Sequence, residues 1–125
     1  MWSHGSFYWN ELMTRNAEAA KKFYGDALGW AFDAMPMPTG GTYWVAKMGD
    51  KPVAGIFTMG PEHAGMPEMW FAYIAVDDVD ARLEKAKAGG GKVMREPFEV
   101  PGIGRIAILG DANGVGIGWM TPVKH

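Results

Sequence analysis

The chain has no cysteine among its 125 residues, so disulfides, thiolate metal centres and cysteine nucleophiles are excluded. It also lacks an excess of either charge: 12 Lys and Arg stand against 14 Asp and Glu, a net charge of −2. A nucleic-acid binder normally shows a basic face, so no nucleic-acid partner is expected. No apolar run approaches the roughly 20 residues that cross a bilayer, which sets membrane insertion aside. The start, Met1-Trp2-Ser3-His4-Gly5, has neither the charged region nor the apolar stretch of a signal peptide, and a cytoplasmic setting is expected. Histidine is scarce, at positions 4, 63 and 125 only. A metal triad built on imidazole would need two of these distant residues to converge.

Apolar and small residues are plentiful. Hydrophobic residues make up 48% of the chain, and at this length one compact domain with an ordinary core is expected. The 18 glycines are not repetitive and separate apolar runs, a pattern of short strands joined by tight turns. Ten Met, six Trp, four Tyr and six Phe suit either a plastic core or an aromatic-lined cavity.

An internal repeat organises the sequence. Phe7 to Met13 reads as an aromatic-rich strand, followed by Asn16 as a helix N-cap and Glu18 in the first turn. Ala17, Ala20, Phe23, Tyr24, Ala27 and Leu28 recur at helical spacing, and Gly29 stops the helix. In the second half Trp70 to Val76 is the strand, Asp78 the cap, Val79, Leu83 and Ala86 the helical stripe, and Gly89-Gly90-Gly91 the stop. Trp9 and Phe71, Asn16 and Asp78, Glu18 and Asp80, and Gly29 and Gly91 are each 62 positions apart. Ala31 to Ala34 and Lys92 to Met94 supply the strand after each helix, and a strand pair follows in each half. Thr42 to Met48 turns through Gly49-Asp50-Lys51-Pro52 into Val53 to Met59, and Arg105 to Leu109 through Gly110 to Gly114 into Val115 to Met120. Each half is therefore a βαβββ module, at about 5–59 and 68–121, joined by 60–67. The expected fold is α+β, one domain of two modules forming a curved, cup-like mixed sheet, since one helix per sheet leaves the other face uncovered.

The combination of FYGDALGW (23–30), AVDDVD (75–80), PGIGR (101–105) and GDANG (110–114) resembles the vicinal oxygen chelate superfamily of glyoxalases, bleomycin-resistance proteins and extradiol dioxygenases. The resemblance covers nearly the whole chain and is greatest to small glyoxalase-like members. It implies metal ligands on the first and last strands of each module, at positions that fall here on Trp9, Gly55, Phe71 and Gly118. None of these side chains ligates a divalent ion, so no metal and no other cofactor is expected. The family also contains non-metal members that sequester a drug, and members that pair as homodimers.

Alternation along a strand puts Trp9, Glu11 and Met13 on one face and, by the repeat, Phe71, Tyr73 and Ala75 on the corresponding one. Ala72, Ile74 and Val76 are expected to face the second helix, as are Tyr8, Asn10 and Leu12 the first. There Asn10 would need a hydrogen-bonding partner. Trp9 and Phe71 either plug the cup or stack on a ligand, and Gly55 and Gly118 widen its floor. Glu11 is the candidate polar anchor. Desolvation would raise its pKa and a partner such as Arg105 would lower it, with Tyr73 another partner to consider. Arg105 is a candidate clamp for a carboxylate. The candidate ligand-binding set is thus Trp9, Glu11, Gly55, Phe71, Tyr73, Arg105 and Gly118. The leading expectation is a homodimer that binds a small aromatic or apolar molecule without a metal. The alternative is a metal-independent lyase, isomerase or transferase using Glu11 and Tyr73, and a third reading is a regulatory or structural protein.

Overall fold

The computed structural model describes residues 2–37, 40–100 and 103–123. His125 and the Pro101-Gly102 part of the quoted motif lie outside the described residues. The elements follow the order β1 (Phe7–Thr14), α1 (Ala17–Leu28), β2 (Ala31–Pro36), β3 (Thr42–Met48), β4 (Lys51–Thr58), β5 (Met69–Ala75), α2 (Val79–Ala88), β6 (Lys92–Val100), β7 (Gly104–Gly110) and β8 (Gly116–Pro122). A short 3-10 turn, Pro61–His63, precedes β5. This is the βαβββ sequence twice over, in the expected α+β class. The chain forms two compact units: Trp9–Phe71, and Ala72 onward together with the stretch ending at Tyr8.

The first unit orders its strands β2-β3-β4-β1. The β1 and β4 strands run parallel with Glu11 opposite Gly55 and Leu12 opposite Ile56, while β3 and β4 form an antiparallel hairpin with Val45 opposite Gly55. Even-numbered residues of β1 turn toward α1: Leu12, Ala17 and Ile56 form a buried cluster, with Ala20, Tyr24, Phe32 and Trp44 against it. Asn16 caps α1 by accepting the Ala19 N–H at 3.0 Å, and Gly29 closes the helix at φ 78°, a conformation that glycine adopts without steric cost. The buried stripe of α1 is narrower than the periodicity suggests. Phe23 and Leu28 remain 63% and 57% exposed, whereas Ala17, Ala20 and Tyr24 pack on the cluster and Lys21 lies over the Trp44 ring at 3.2 Å.

The chain after β4 is tied back onto this unit. The Thr14 hydroxyl donates to Glu68 in a short bond, and Arg15 donates to the carbonyls of His63 and Met66 at 2.8 and 2.7 Å. The Thr14 bond, with that from the Arg15 N–H, holds the Glu68 carboxyl below its ordinary range.

The second unit repeats the plan in the order β5-β8-β7-β6. The β5 and β8 strands are parallel, with Tyr73 opposite Gly118. Val76, Val79, Leu83, Ala107 and Leu109 form its core, with Ile74, Ala86, Ile117 and Trp119 packed on it. Asp78 caps α2 through the Ala81 N–H at 3.1 Å. Asp111 accepts the N–H groups of Asn113 and Val115, which shapes the β7–β8 turn around Gly114 at φ 86°. The β6 strand is longer than the three residues expected and runs to Val100. Its register shifts twice, between Val93 and Arg95 and between Arg95 and Phe98, which lets Pro97, with no N–H to donate, sit in a terminal strand.

The α1 core sets a direct expectation. Ile56 is fully buried, so Ile56→Ala lowers unfolding free energy by about 2–5 kcal/mol. A urea titration followed by circular dichroism measures the loss as a lower midpoint.

Candidate functional site

The face of the first unit opposite α1 carries the odd-numbered residues of β1, Trp9, Glu11 and Met13, and of β3, Tyr43 and Val45. The β4 strand contributes Gly55 between them. The Tyr43 ring lies directly over Gly55: a Cβ built there would overlap the Tyr43 hydroxyl and ring atoms. Glycine at 55 is thus the condition for the ring to reach across the sheet. Once there, its hydroxyl accepts a hydrogen bond from the Trp9 indole N–H at 2.9 Å and bonds with Glu11. Trp has only a donor and an ionised Glu only acceptors. The polarity is therefore fixed, from Trp9 N–H to Tyr43 oxygen and from Tyr43 O–H to the Glu11 carboxylate.

Burial pushes the Tyr43 phenol far above its ordinary range. The Glu11 charge and the hydrogen bond to Glu11 add to the rise, and the bond from Trp9 opposes it. Tyr43 is the residue that sequence reasoning missed. Counting back from the Gly49-Asp50 turn would put Val45 opposite Ala54 and Trp44 opposite Gly55. A register shift between Ala46 and Lys47 moves Val45 to Gly55 and brings Tyr43 onto that face, which strand alternation alone does not show.

The second unit has a related arrangement. Tyr73 pairs with Gly118 in the β5–β8 register, and a Cβ at Gly118 would overlap the Tyr73 ring. Tyr73 and Ala75 are 7% and 0% exposed, on the face away from α2. Arg105 is not on that face. It shares the α2-covered side with Ala107 and Leu109, where its Nε and Nη2 donate to Asp80 at 2.7 and 3.0 Å and its Nη1 to Glu99 at 2.9 Å. These bonds raise the Arg105 pKa and hold the Asp80 carboxyl below its ordinary range.

A divalent cation does not fit the four places where the fold suggests ligands. Trp9 and Phe71 offer no lone pair, and the volume above Gly55 and Gly118 is taken by phenol rings. Among the described residues no three His, Asp or Glu side chains converge in a metal-binding group. His63 is engaged elsewhere, its Nδ1 accepting the Gly60 N–H at 3.2 Å.

Asn10 has the opposite orientation to Glu11 and is exposed. It lines a cavity of about 270 Å³ with Trp30, Val53, Ala54 and Trp70. Tyr24 stacks on Trp30 with centroids 5.5 Å apart and accepts the Trp70 indole N–H at 3.1 Å. Trp70 meets Trp30 edge-on at 6.3 Å. This cavity has aromatic walls and no ionisable lining residue.

Fold and site together define a two-module βαβββ protein in which tyrosine rings cover Gly55 and Gly118. The family model for the Glyoxalase/Bleomycin resistance protein/Dioxygenase superfamily matches residues 7–118, and the chain belongs to that superfamily. It is 41% identical over 123 residues to the protein named Putative glyoxylase CFP32 of Mycobacterium bovis, covering 97% of this chain and 47% of that one. It is 30% identical over 122 residues to the anthracycline biosynthesis protein DnrV of Streptomyces peucetius, covering 88% and 44%. The chain thus spans about half the length of these curated relatives. Among solved structures it resembles protein BH1468 of Bacillus halodurans, with a TM-score of 0.74, 15% identity and 98% of both chains covered. It also resembles methylmalonyl-CoA epimerase from Mycobacterium tuberculosis, with a TM-score of 0.68, 15% identity and coverage of 99% and 94%. At such identity these two likenesses concern the fold alone.

The raised Tyr43 pKa has a stability consequence whose sign is fixed. The phenol is kept neutral in the folded chain, so its contribution is complete below the unfolded value of about 10 and is lost as pH rises toward the folded value. Above about pH 10 the wild type therefore loses up to about 1.4 kcal/mol per pH unit more than Tyr43→Phe does. Urea midpoints of both proteins across that range give the difference in slope.

Proposed function

We propose that the chain binds a small aromatic or apolar molecule on the sheet face that carries Trp9, Glu11 and Tyr43, without a metal ion. The observation that carries this reading is the hydrogen-bonded array of Trp9, Tyr43 and Glu11 over Gly55, a polar anchor set in aromatic surroundings. Ligand sites are commonly built this way, with a few placed polar groups in an apolar lining. Phe71, Tyr73 and Gly118 belong to the proposed binding set as the repeat-related residues. Arg105, held by Asp80 and Glu99, acts as a structural clamp on α2 in this reading. The names of the relatives, a glyoxylase and anthracycline biosynthesis proteins, support a small organic ligand.

A second reading is a metal-independent lyase, isomerase or transferase with Glu11 and Tyr73 in the acid–base roles. It is favoured by the fixed orientation that Tyr43 gives the Glu11 carboxylate. Turnover of a bound compound separates the two. A cytoplasmic setting accords with the absence of cysteine; among the described residues no helix is long and apolar enough to cross a membrane.

A panel of aromatic and dicarbonyl compounds screened by thermal shift tests the binding reading. A ligand at about 100 times its Kd stabilises the native state by roughly 2.7 kcal/mol, and its effect on melting temperature should be lost in Glu11→Gln. A panel without a single Glu11-dependent shift would sink the proposal.

Homodimerisation is proposed as well. Phe23, Leu28 and Trp70 leave large apolar side chains at the surface, 63%, 57% and 41% exposed, and exposed apolar patches mark contact sites. Light scattering at micromolar concentration should give twice the 13.6 kDa chain mass; a stable species of single mass contradicts pairing.

A further inference from the structure

The cavity bounded by Asn10, Trp30, Val53, Ala54 and Trp70 takes no part in the Trp9–Tyr43–Glu11 array. All five residues belong to the unit Trp9–Phe71. Asn10 points to the side of β1 opposite Glu11, so the two places lie on different sides of one strand. The volume of about 270 Å³ suits a one-ring molecule, since ligand pockets in general begin at about 300 Å³. The two indoles in its wall are held in place by Tyr24. Trp30 and Trp70 meet at 85°, Tyr24 stacks on Trp30, and its hydroxyl accepts the Trp70 N–H at 3.1 Å. That bond uses the one donor of Trp70. Asn10 is the lining side chain with both a donor and an acceptor, and its amide forms no hydrogen bond with another described residue. No ionisable side chain lines the space, so a charged ligand would give up water there without gaining a counter-charge.

We infer that this cavity is a second binding site, and that it takes a neutral aromatic amide of one ring. The ligand amide carries a donor and an acceptor side by side, the complement of the Asn10 side chain, so the two groups exchange a pair of hydrogen bonds. Its ring packs against Trp30 and Trp70. A carboxylate of the same shape brings no donor and an ammonium no acceptor, and each carries a charge that the lining does not answer. The rival occupant is a cation drawn to the indole faces alone, whose binding would not depend on Asn10. The site is independent of the proposed one on the Glu11 face.

The test uses benzamide, benzoate and benzylamine, titrated by calorimetry into the whole chain at neutral pH. Wild type should bind benzamide about tenfold more tightly than either charged compound, and the Asn10 side-chain amide resonances should shift on binding. Asn10→Leu, a change at an exposed position, should weaken benzamide about tenfold. Asn10→Asp, which replaces the donor with a negative charge, should reverse the order in favour of benzylamine. Glu11→Gln should leave the benzamide affinity as it is, which separates this cavity from the opposite face. Wild type binding benzylamine or benzoate as tightly as benzamide overturns the inference. So does benzamide affinity that is unchanged in Asn10→Leu, or an order of preference that is unchanged in Asn10→Asp. Benzamide affinity lost in Glu11→Gln places the compound on the other face and overturns it equally, as does failure of benzamide to bind wild type at millimolar concentration.

Discussion

The fit of the Tyr43 ring over Gly55 is the contact on which the rest of the site depends. A sheet face normally presents a side chain at every second position, and a ring cannot cross an occupied one. With only hydrogen at 55, Tyr43 reaches from β3 across β4 toward β1 and completes a bond with the indole of Trp9. A methyl group at 55 would have to displace the ring, taking with it the Trp9 bond and the contact with Glu11. The second unit obeys the same constraint at Gly118, where Tyr73 covers the glycine from the neighbouring strand. The glycines and tyrosines are therefore one feature: each aromatic ring occupies the space that a side chain at its glycine would take.

This arrangement also separates two kinds of polar group in the molecule. Glu11 and Tyr43 face away from α1 within an aromatic environment, whereas the charged pairs lie at the helices and the surface. Arg105 bridges Asp80 and Glu99 on the α2 side, and Arg82 grips Asp77 with two bonds of 2.8 and 2.9 Å. Exposed pairs of this kind contribute little to stability because water screens them and holding two long side chains costs entropy. Their effect is local, fixing the start of α2 and the strand beside it.

Much of the fold was legible because its signals are local. Asn16 and Asp78 cap their helices from three residues away, and Gly29 stops α1 by its own backbone preference. The 62-residue offset then ordered the strands. The site was legible only in part. Trp9 and Glu11 follow from strand alternation, but Tyr43 lies 34 positions from Trp9, and only pairing β3 with β4 and β4 with β1 brings them together. The true neighbours of Arg105 escape a reading of the sequence for a related reason: its acidic partners come from a helix 25 positions earlier and from the adjacent strand. The full length of β6 was hidden because Glu96 and Pro97 break the alternation that marks a strand. The exposure of Phe23 and Leu28 was hidden because periodicity shows which residues share a helix face and not which of them meet a partner.

The irregular course of β6 governs what the second unit can recruit. As the terminal strand in its order, β6 would otherwise present a row of unpaired backbone groups to any extended peptide. Two register shifts break that row, Pro97 removes a donor from it, and Arg95 folds over the Phe98 ring at 3.7 Å. A segment trying to add itself as a further strand would meet neither a continuous ladder nor a flat surface. Sheet extension, the usual route by which exposed strands capture peptides and seed aggregates, is closed at this border by the chain's own backbone.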